Sequence, residues 1–299
     1  MSPAHEVPTQ WIPRLLYYFL QPVILLAVVG IWLTQPTNGS LFFITILLLQ
    51  LTLGAIERRY PARPEWQIPA KQTLINVLLV AFLFVVSGSV GEIYTHLLSP
   101  PLDGMRTALG LDIWPHDWPL VVQLFMVFTL NEFFWYWIHR AEHQWSPVWR
   151  LSGHGAHHAF RKLSALNFGL NHPLEYFFLL LPAALLELTF GIGAPVLGAA
   201  LLLVTQASIA HCNIAMNSRL IGWFFTTNQY HICHHSTDWE ESNSNFGCAA
   251  IVWDRVFGTF CDNRATEAGA GPMEPNTWQK LILPIKEFEA SSIAPGTQR

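Results

Sequence analysis

Apolar residues occur in long runs separated by short polar segments, a pattern that predicts a series of membrane-spanning helices. Four runs approach the roughly 20 apolar residues that a helix needs to cross the hydrocarbon layer. They cover Arg14–Leu33, Leu41–Ile56, Gln72–Leu98 and Pro119–Ile138. A fifth run, Leu174–Ala210, is too long for one crossing and is interrupted by Gly191, Gly193 and Pro195. It therefore predicts a helical hairpin.

The composition agrees with a membrane location. Hydrophobic residues make up 52% of the chain and charged residues 12%, whereas about a quarter of a typical soluble domain is charged. The first run, which begins at Arg14, could instead be a secretory signal peptide. Pro22 interrupts it and no A-x-A cleavage site follows, so we expect it to remain as a span. The predicted fold is an all-α, multispanning membrane helical bundle, with one domain over residues 14–284 and polar tails at 1–13 and 285–299.

Histidine is concentrated in one part of the chain. Ten of the 13 histidines lie within residues 139–235. Most belong to three clusters, HRAEH, HGAHH and HICHH, which begin at His139, His154 and His231. Residues four apart share one face of a helix, so His139 and His143 can bind the same ion. The clusters therefore predict a metal centre built from imidazoles.

The number of histidines favours two metal ions. One ion takes about three or four protein ligands when a position is left for chemistry, so two adjacent ions would use about eight. The remaining one or two would orient ligands or handle protons. Imidazole binds iron, zinc, copper and nickel. The four cysteines form no CxxC pair of the kind typical of structural zinc modules. The residues alone leave the identity of the metal open.

Positively charged residues predict the orientation. Arg58, Arg59, Arg63 and Lys71 lie between the second and third spans, and such residues mark the cytoplasmic side. Both termini are then cytoplasmic, whereas the connections at 35–40 and 99–118 are external. The fourth span returns inward and the hairpin starts and ends on that side. All three clusters are therefore predicted to form a cap that faces the cytoplasm, either at a bacterial inner membrane or at the endoplasmic reticulum.

The clusters and their surroundings resemble the fatty acid hydroxylase and sterol desaturase superfamily of membrane di-iron oxygenases. The resemblance extends from about Asn131 to Phe260. It rests on the ordered phrases YWIHRAEH, VWRLSGHGAHH, NHPLE, QASIAHCNIAMN, YHICHHS and NFGCAAIVWDRVFGTF. The short gap between the first two clusters, residues 144–153, also looks more like this family than like the acyl-CoA desaturases. Gly155 stands where many relatives carry a larger residue, and it leaves the ligand spacing intact.

The resemblance implies a set of iron ligands and a redox chemistry. The implied ligands, or their close neighbours, are His139, His143, His154, His157, His158, His172, His211, His231, His234 and His235. Two irons would activate O2 with electrons from a separate reductase, through a cytochrome or a ferredoxin. Zinc could occupy the site in a purified sample.

Acidic residues near the clusters are candidates for supporting roles. Asp238, Glu240 and Glu241 follow the third cluster, where they could hold imidazoles by hydrogen bonds or lie in a solvated loop. Glu142 lies on the helix side opposite the histidines of the first cluster, so we expect it to pair with a nearby arginine.

The predicted reaction is O2-dependent hydroxylation of a membrane lipid that enters from the bilayer. Desaturation of a lipid or sterol would use the same iron chemistry and stays open, as does the identity of the lipid.

Alternatives of another class are a histidine-rich metal-binding or transport protein and a non-catalytic lipid-binding scaffold. Transport needs ionisable ligands along the spans, which are nearly empty of them. A net charge of −4 without a long basic run gives no support for nucleic-acid binding. The oligomeric state is not predicted.

Overall fold

The computed structural model describes residues 7–219, 221–271 and 273–282, which fold as an assembly of helices. Five helices are long and apolar enough to cross a membrane, namely α1 (Trp11–Thr34), α2 (Gly39–Arg59), α3 (Ala70–Leu109), α4 (Leu120–Gln144) and α8 (Ala194–His211). The shorter helices are α5 (Ser146–Ser152), α6 (Gly155–His158), α7 (Glu175–Phe190), α9 (Asn228–His234), α10 (Trp239–Ser242), α11 (Val252–Phe257) and α12 (Thr277–Ile282). Short 3-10 turns cover Pro64–Trp66, Ala165–Asn167 and Ile221–Trp223. Within the described ranges the β pairing is limited to one bridge, so the all-α prediction is confirmed.

The four predicted spans correspond to α1, α2, α3 and α4, and α3 differs most from its prediction. It continues through Pro100 and Pro101 to Leu109, where the sequence predicted an external connection from Ser99. The helix therefore extends beyond the predicted end of the span at Leu98, because a proline removes one N–H and bends a helix without always ending it. The location of residues 99–109 outside the membrane stays a prediction. The helix ends at Gly110, whose φ of 62° a glycine adopts without steric cost.

Helix α3 is long enough both to span a membrane and to reach the polar end of the bundle. At 1.5 Å per residue its 40 residues extend about 60 Å, twice the roughly 30 Å of a hydrocarbon layer. Leu83, in its first half, belongs to a buried cluster with Trp66, Phe160, Leu170 and Ile232. The first half of α3 therefore packs against the histidine-bearing segments.

Helices α7 and α8 form the predicted hairpin. Gly191 and Gly193 have φ angles of 63° and 81°, and Pro195 lies in the first turn of α8. These residues end one helix and begin the next, as the sequence predicted. Helix α7 packs mainly against α3, whereas α8 packs against α4, α1 and α2. Because α7 packs mainly against α3 and α8 mainly against α4, space is left between the two helices.

The polar segments lie at one end of the bundle, which we call the cap (residues 145–174, 212–219, 221–271 and 273–282). Helix α4 ends at the cap, and the hairpin begins and ends there. Glu57, in the last turn of α2, accepts hydrogen bonds from the backbone N–H groups of Ala165 and Asn213 at 2.8 and 2.6 Å. The guanidinium of Arg63 donates to the carbonyl of Ala265 at 2.6 Å. The basic loop between α2 and α3 thus lies on the same side as the histidine clusters.

Candidate metal centre

Nine of the ten predicted histidines meet at the cap in two adjacent groups. The first group consists of His139, His143, His154, His158 and His234, and the second of His157, His211, His231 and His235. Within each group the candidate ligand atoms all lie within 4.8 Å of one another. All nine side chains are buried. The ends of α4 and α8 and the short helices α6 and α9 supply them.

The HxxHH spacing allows one short helix to serve both groups. In α6, His158 joins the first group and His157 the second. In α9, His234 joins the first group and His231 the second, and His235, the residue after the helix, also joins the second. Consecutive residues of an α-helix point about 100° apart, and residues four apart share a face. Each pair of adjacent histidines therefore contributes one side chain to each of the two groups.

Neighbouring Nε2 atoms in each group lie close enough together to bind one ion. The distances are 2.9 Å for His139–His154, 3.1 Å for His143–His154 and His143–His158, 3.2 Å for His157–His211, and 3.1 Å for His211–His231 and His231–His235. Nitrogen atoms bound to one ion at about 2.0–2.1 Å are separated by roughly 3 Å. Pairs of neutral imidazoles can share a proton, but four or five converging nitrogens fit a cation better.

The charge state of the imidazoles suits metal binding. Burial, followed by repulsion from neighbouring imidazoles, holds the pKa of the cap histidines well below their usual value of 6.5. This applies to His154, His157, His158, His231, His234 and His235. These side chains are therefore neutral at physiological pH, and the neutral imidazole is the form that binds a metal.

Backbone carbonyls of one loop orient two ligands of the first group. The Nδ1–H of His139 donates to the carbonyl of Phe246 at 2.6 Å, and that of His234 donates to the carbonyl of Ser244 at 2.7 Å. The carboxylate of Asp254 holds this loop by accepting from the backbone N–H of Phe246 at 2.7 Å. A hydrogen bond at Nδ1 leaves the Nε2 lone pair directed at the centre of the group. The sequence phrase NFGC…WD contains this support, but its role was not predicted.

Two buried carboxylates lie beside His154. Glu175, the first residue of α7, accepts a hydrogen bond from the Nδ1 of His154 at 2.7 Å, and Glu142 Oε2 lies 3.7 Å from the same nitrogen. Glu142 is 0% exposed. The predicted arginine pair of Glu142 is therefore wrong, because α5 and α7 cover this face of α4. The signal that could have indicated Glu175 is its position at the end of the phrase NHPLE.

His172 lies apart from both groups. Its Nε2 donates to the carbonyl of Leu281 at 3.0 Å, and its Nδ1 accepts from the backbone N–H of Leu174 at 3.2 Å. Both ring nitrogens are thus used within the cap. The ring also packs on Gly153, where an added Cβ would lie 2.5 Å from it.

Asp238 and Glu241, which follow the third cluster, contact backbone N–H groups and a serine hydroxyl rather than imidazoles. Asp238 is the N-cap of α10 and accepts from the backbone N–H groups of Glu240 and Glu241 at 2.8 and 3.4 Å. Glu241 accepts from the hydroxyl of Ser236 at 2.6 Å. Of the two alternatives for these residues, Asp238 takes the one in the loop, where it caps a helix, which is the usual role of Asp at this position.

An apolar cavity of about 190 Å³ extends from the histidines between α3, α4, α7 and α8. His154, His157 and His211 line one end, together with Glu175. Along α8 the lining runs from His211 to Val196, a distance of about 22 Å at 1.5 Å per residue. The cavity thus connects the candidate metal centre with the apolar part of the bundle.

Comparisons with known proteins agree with the resemblance found in the motifs. The family described as fatty acid hydroxylase matches residues 124–259. The ornithine lipid hydroxylase OlsE of Rhizobium tropici is 25% identical over 252 residues, covering 81% of this chain and 74% of the relative. The alkylglycerol monooxygenase of Xenopus tropicalis is 25% identical over 208 residues, covering 66% of this chain and 43% of the relative. No solved structure matches the chain significantly.

Proposed function

Because the chain belongs to the fatty acid hydroxylase family through residues 124–259 and is an oxidoreductase, we propose that it hydroxylates a C–H bond of a membrane lipid. The observation that carries this proposal is the apolar cavity, which has histidines of both groups at one end and membrane-spanning helices along its length. A lipid chain can enter such a cavity from the bilayer without being exposed to water. A path for metal transport would instead need polar ligands along its length.

The proposed cofactor is a pair of iron ions, one in each histidine group. When bound, the two irons would supply the activation of O2 that attack on an unactivated C–H bond requires. The chain's own residues hold the neutral imidazoles in place through the carbonyls of Ser244 and Phe246 and the carboxylate of Glu175. The apolar walls bring the substrate carbon close to the histidines and exclude bulk water.

The balance of the reaction requires an external electron source. Hydroxylation consumes one O2, two electrons and two protons for each C–H bond, and it yields an alcohol and one water. We propose that a separate reductase supplies the electrons through a cytochrome or a ferredoxin on the cap side. The cap, with the histidines, would then face the cytoplasm, as the basic residues Arg58 and Arg59 predict.

The dimensions of the cavity support a substrate with one extended apolar chain. Its length of about 22 Å along α8 exceeds half of the roughly 30 Å hydrocarbon layer. The polar side chains Asn131, Asn171 and Glu175 lie in its lining. The names of the two relatives specify an ornithine lipid and an alkylglycerol. We therefore propose a lipid with a polar group, whose chain occupies the apolar part of the cavity.

The test is turnover of a membrane lipid extract under 18O2. Purified, iron-loaded protein with a reductant should yield a lipid product that contains one oxygen atom from 18O2. A product lighter by two hydrogens and without label would indicate desaturation. An unchanged extract, with iron present and electrons supplied, would contradict the enzymatic proposal.

The matched control removes one histidine from each group. The His234→Ala and His235→Ala double variant should lose iron and turnover while it still inserts into the membrane. Retained turnover in this variant would exclude the third cluster from the reaction centre.

A further inference from the structure

The two histidine groups differ in how their imidazoles are anchored. In the first group, three of the five imidazoles have a hydrogen-bond acceptor at Nδ1, as described above for His139, His154 and His234. In the second group, His211 donates its Nδ1–H to the carbonyl of Ala207 at 2.8 Å. The Nδ1 atoms of the other three members, His157, His231 and His235, are buried without a hydrogen-bond partner among the described residues.

The clearest difference in anchoring is at His154, whose Nδ1 bonds to the side-chain carboxyl group of Glu175. Glu175 is 1% exposed, and its Oε1 lies 2.7 Å from His154 Nδ1, whereas the acceptors described for the other imidazoles are backbone carbonyls. A carboxylate behind an imidazole fixes its ring and makes its opposite nitrogen a stronger ligand.

His154 belongs to the first group, so a stronger ligand nitrogen on this residue affects the metal position of that group. Its Nε2 lies 2.9 and 3.1 Å from the Nε2 atoms of His139 and His143. The carboxylate therefore acts on an imidazole at the centre of the first group. Glu142, 3.7 Å from the same Nδ1, adds a second buried carboxylate on that side.

We propose that Glu175 is a positioning residue that makes the two metal positions unequal, so that the first group retains its metal more tightly than the second. The proposal assumes that the two groups bind metal, as proposed above, but it does not depend on which lipid is hydroxylated or on turnover. It predicts that partial removal of metal produces a species with one ion, held by the first group.

Metal release from the purified, iron-loaded protein tests the proposal without substrate. With excess chelator, iron should leave in two phases, each of about one ion per chain, and Mössbauer spectra of 57Fe-loaded protein should show two components. In Glu175→Gln, the slow phase should accelerate by about 10- to 100-fold, while the fast phase keeps its rate. The matched control Glu57→Gln alters a buried carboxylate that binds the backbone of Ala165 and Asn213, so both phases should be unchanged.

Two further variants show which histidine group releases iron in each phase. They test the proposal even if Glu175→Gln does not fold. His235→Ala should remove the fast phase and leave the slow one, whereas His143→Ala should leave the fast one. Release of both irons at one rate in the unsubstituted protein would overturn the proposal. A slow phase that survives in His143→Ala, or an unchanged slow phase in folded Glu175→Gln, would also overturn it. A normal two-phase release with no lipid turnover would instead contradict only the proposed function.

Discussion

The ring of His172 connects three parts of the cap. It packs against Gly153 at the end of α5, accepts a hydrogen bond from the backbone of Leu174 before α7, and donates one to Leu281 in α12. Gly153 has a φ of 73°, and any larger side chain there would overlap the imidazole. His172 therefore fixes the position of the second histidine cluster without reaching either group.

The structural role of His172 predicts that its loss lowers the stability of the protein without removing metal. His172→Ala should keep the full metal content and lose about 1–3 kcal/mol of stability, the contribution of two hydrogen bonds. The measurements are metal analysis and thermal unfolding in detergent. His139→Ala with His143→Ala is the comparison, and it should lose metal because both residues belong to the first group. Loss of about half of the metal in His172→Ala would mean that this residue is a ligand.

The difference between His172 and the other histidines shows what local sequence can predict. Helical spacing places His139 and His143 on one face, and this was predictable from the sequence alone. The direction of His172 depends on contacts with residues more than 100 positions away, such as Leu281. The same holds for Glu142, whose expected arginine is replaced by a carboxylate and an imidazole from other segments. The chain's periodicity contains no information about such long-range neighbours.

The open hairpin of α7 and α8 is the element that creates the apolar cavity. The sequence predicted the break at Gly191 and Gly193 but not that the two helices would diverge. Divergence follows from packing, because α7 lies mainly on α3 and α8 mainly on α4. Small residues of α8, Ala199, Ala200 and Ala207, face the resulting space. Their small side chains leave volume in which a lipid chain can lie.

Substitution of these alanines should measure how the substrate lies in the cavity. Ala200 is 11 residues from His211, or about 16 Å, whereas Ala207 is four residues, or about 6 Å, from it. Ala200→Phe should therefore shift turnover towards lipids with shorter chains, and Ala207→Phe should stop turnover. Both variants should retain their metal. The readouts are product chain lengths by mass spectrometry and metal analysis.

A phenylalanine on a membrane-facing surface is the matched control for this series. Leu78 of α3 is 62% exposed, so Leu78→Phe should leave both chain-length preference and metal content unchanged. An Ala200→Phe variant with an unchanged product distribution would show that the lipid chain does not run along α8.

At the scale of the whole molecule, the two histidine groups, the basic loop and the start of α1 lie together on the cap side of the bundle. The backbone N–H of Asn217, after α8, donates to the carbonyl of Tyr17 at 2.8 Å, so the start of α1 lies beside the cap. The predicted cytoplasmic orientation then depends on the exposed cations Arg58, Arg59 and Lys71. Arg63 is 2% exposed, and its charge is enclosed by the protein.

Cysteine accessibility in intact cells tests this orientation. Glu65→Cys in the basic loop and Thr237→Cys in the cap are at exposed positions and should be protected from a membrane-impermeant maleimide until the cells are opened. Thr37→Cys, in the exposed connection between α1 and α2, should react without opening. The unsubstituted protein gives the background from its four native cysteines. Because the fold places the basic loop and the histidines together, Glu65→Cys and Thr237→Cys should always report the same side. Opposite results from these two positions would contradict the fold, whereas a joint external signal would reverse only the orientation and would place the electron donor outside the cytoplasm.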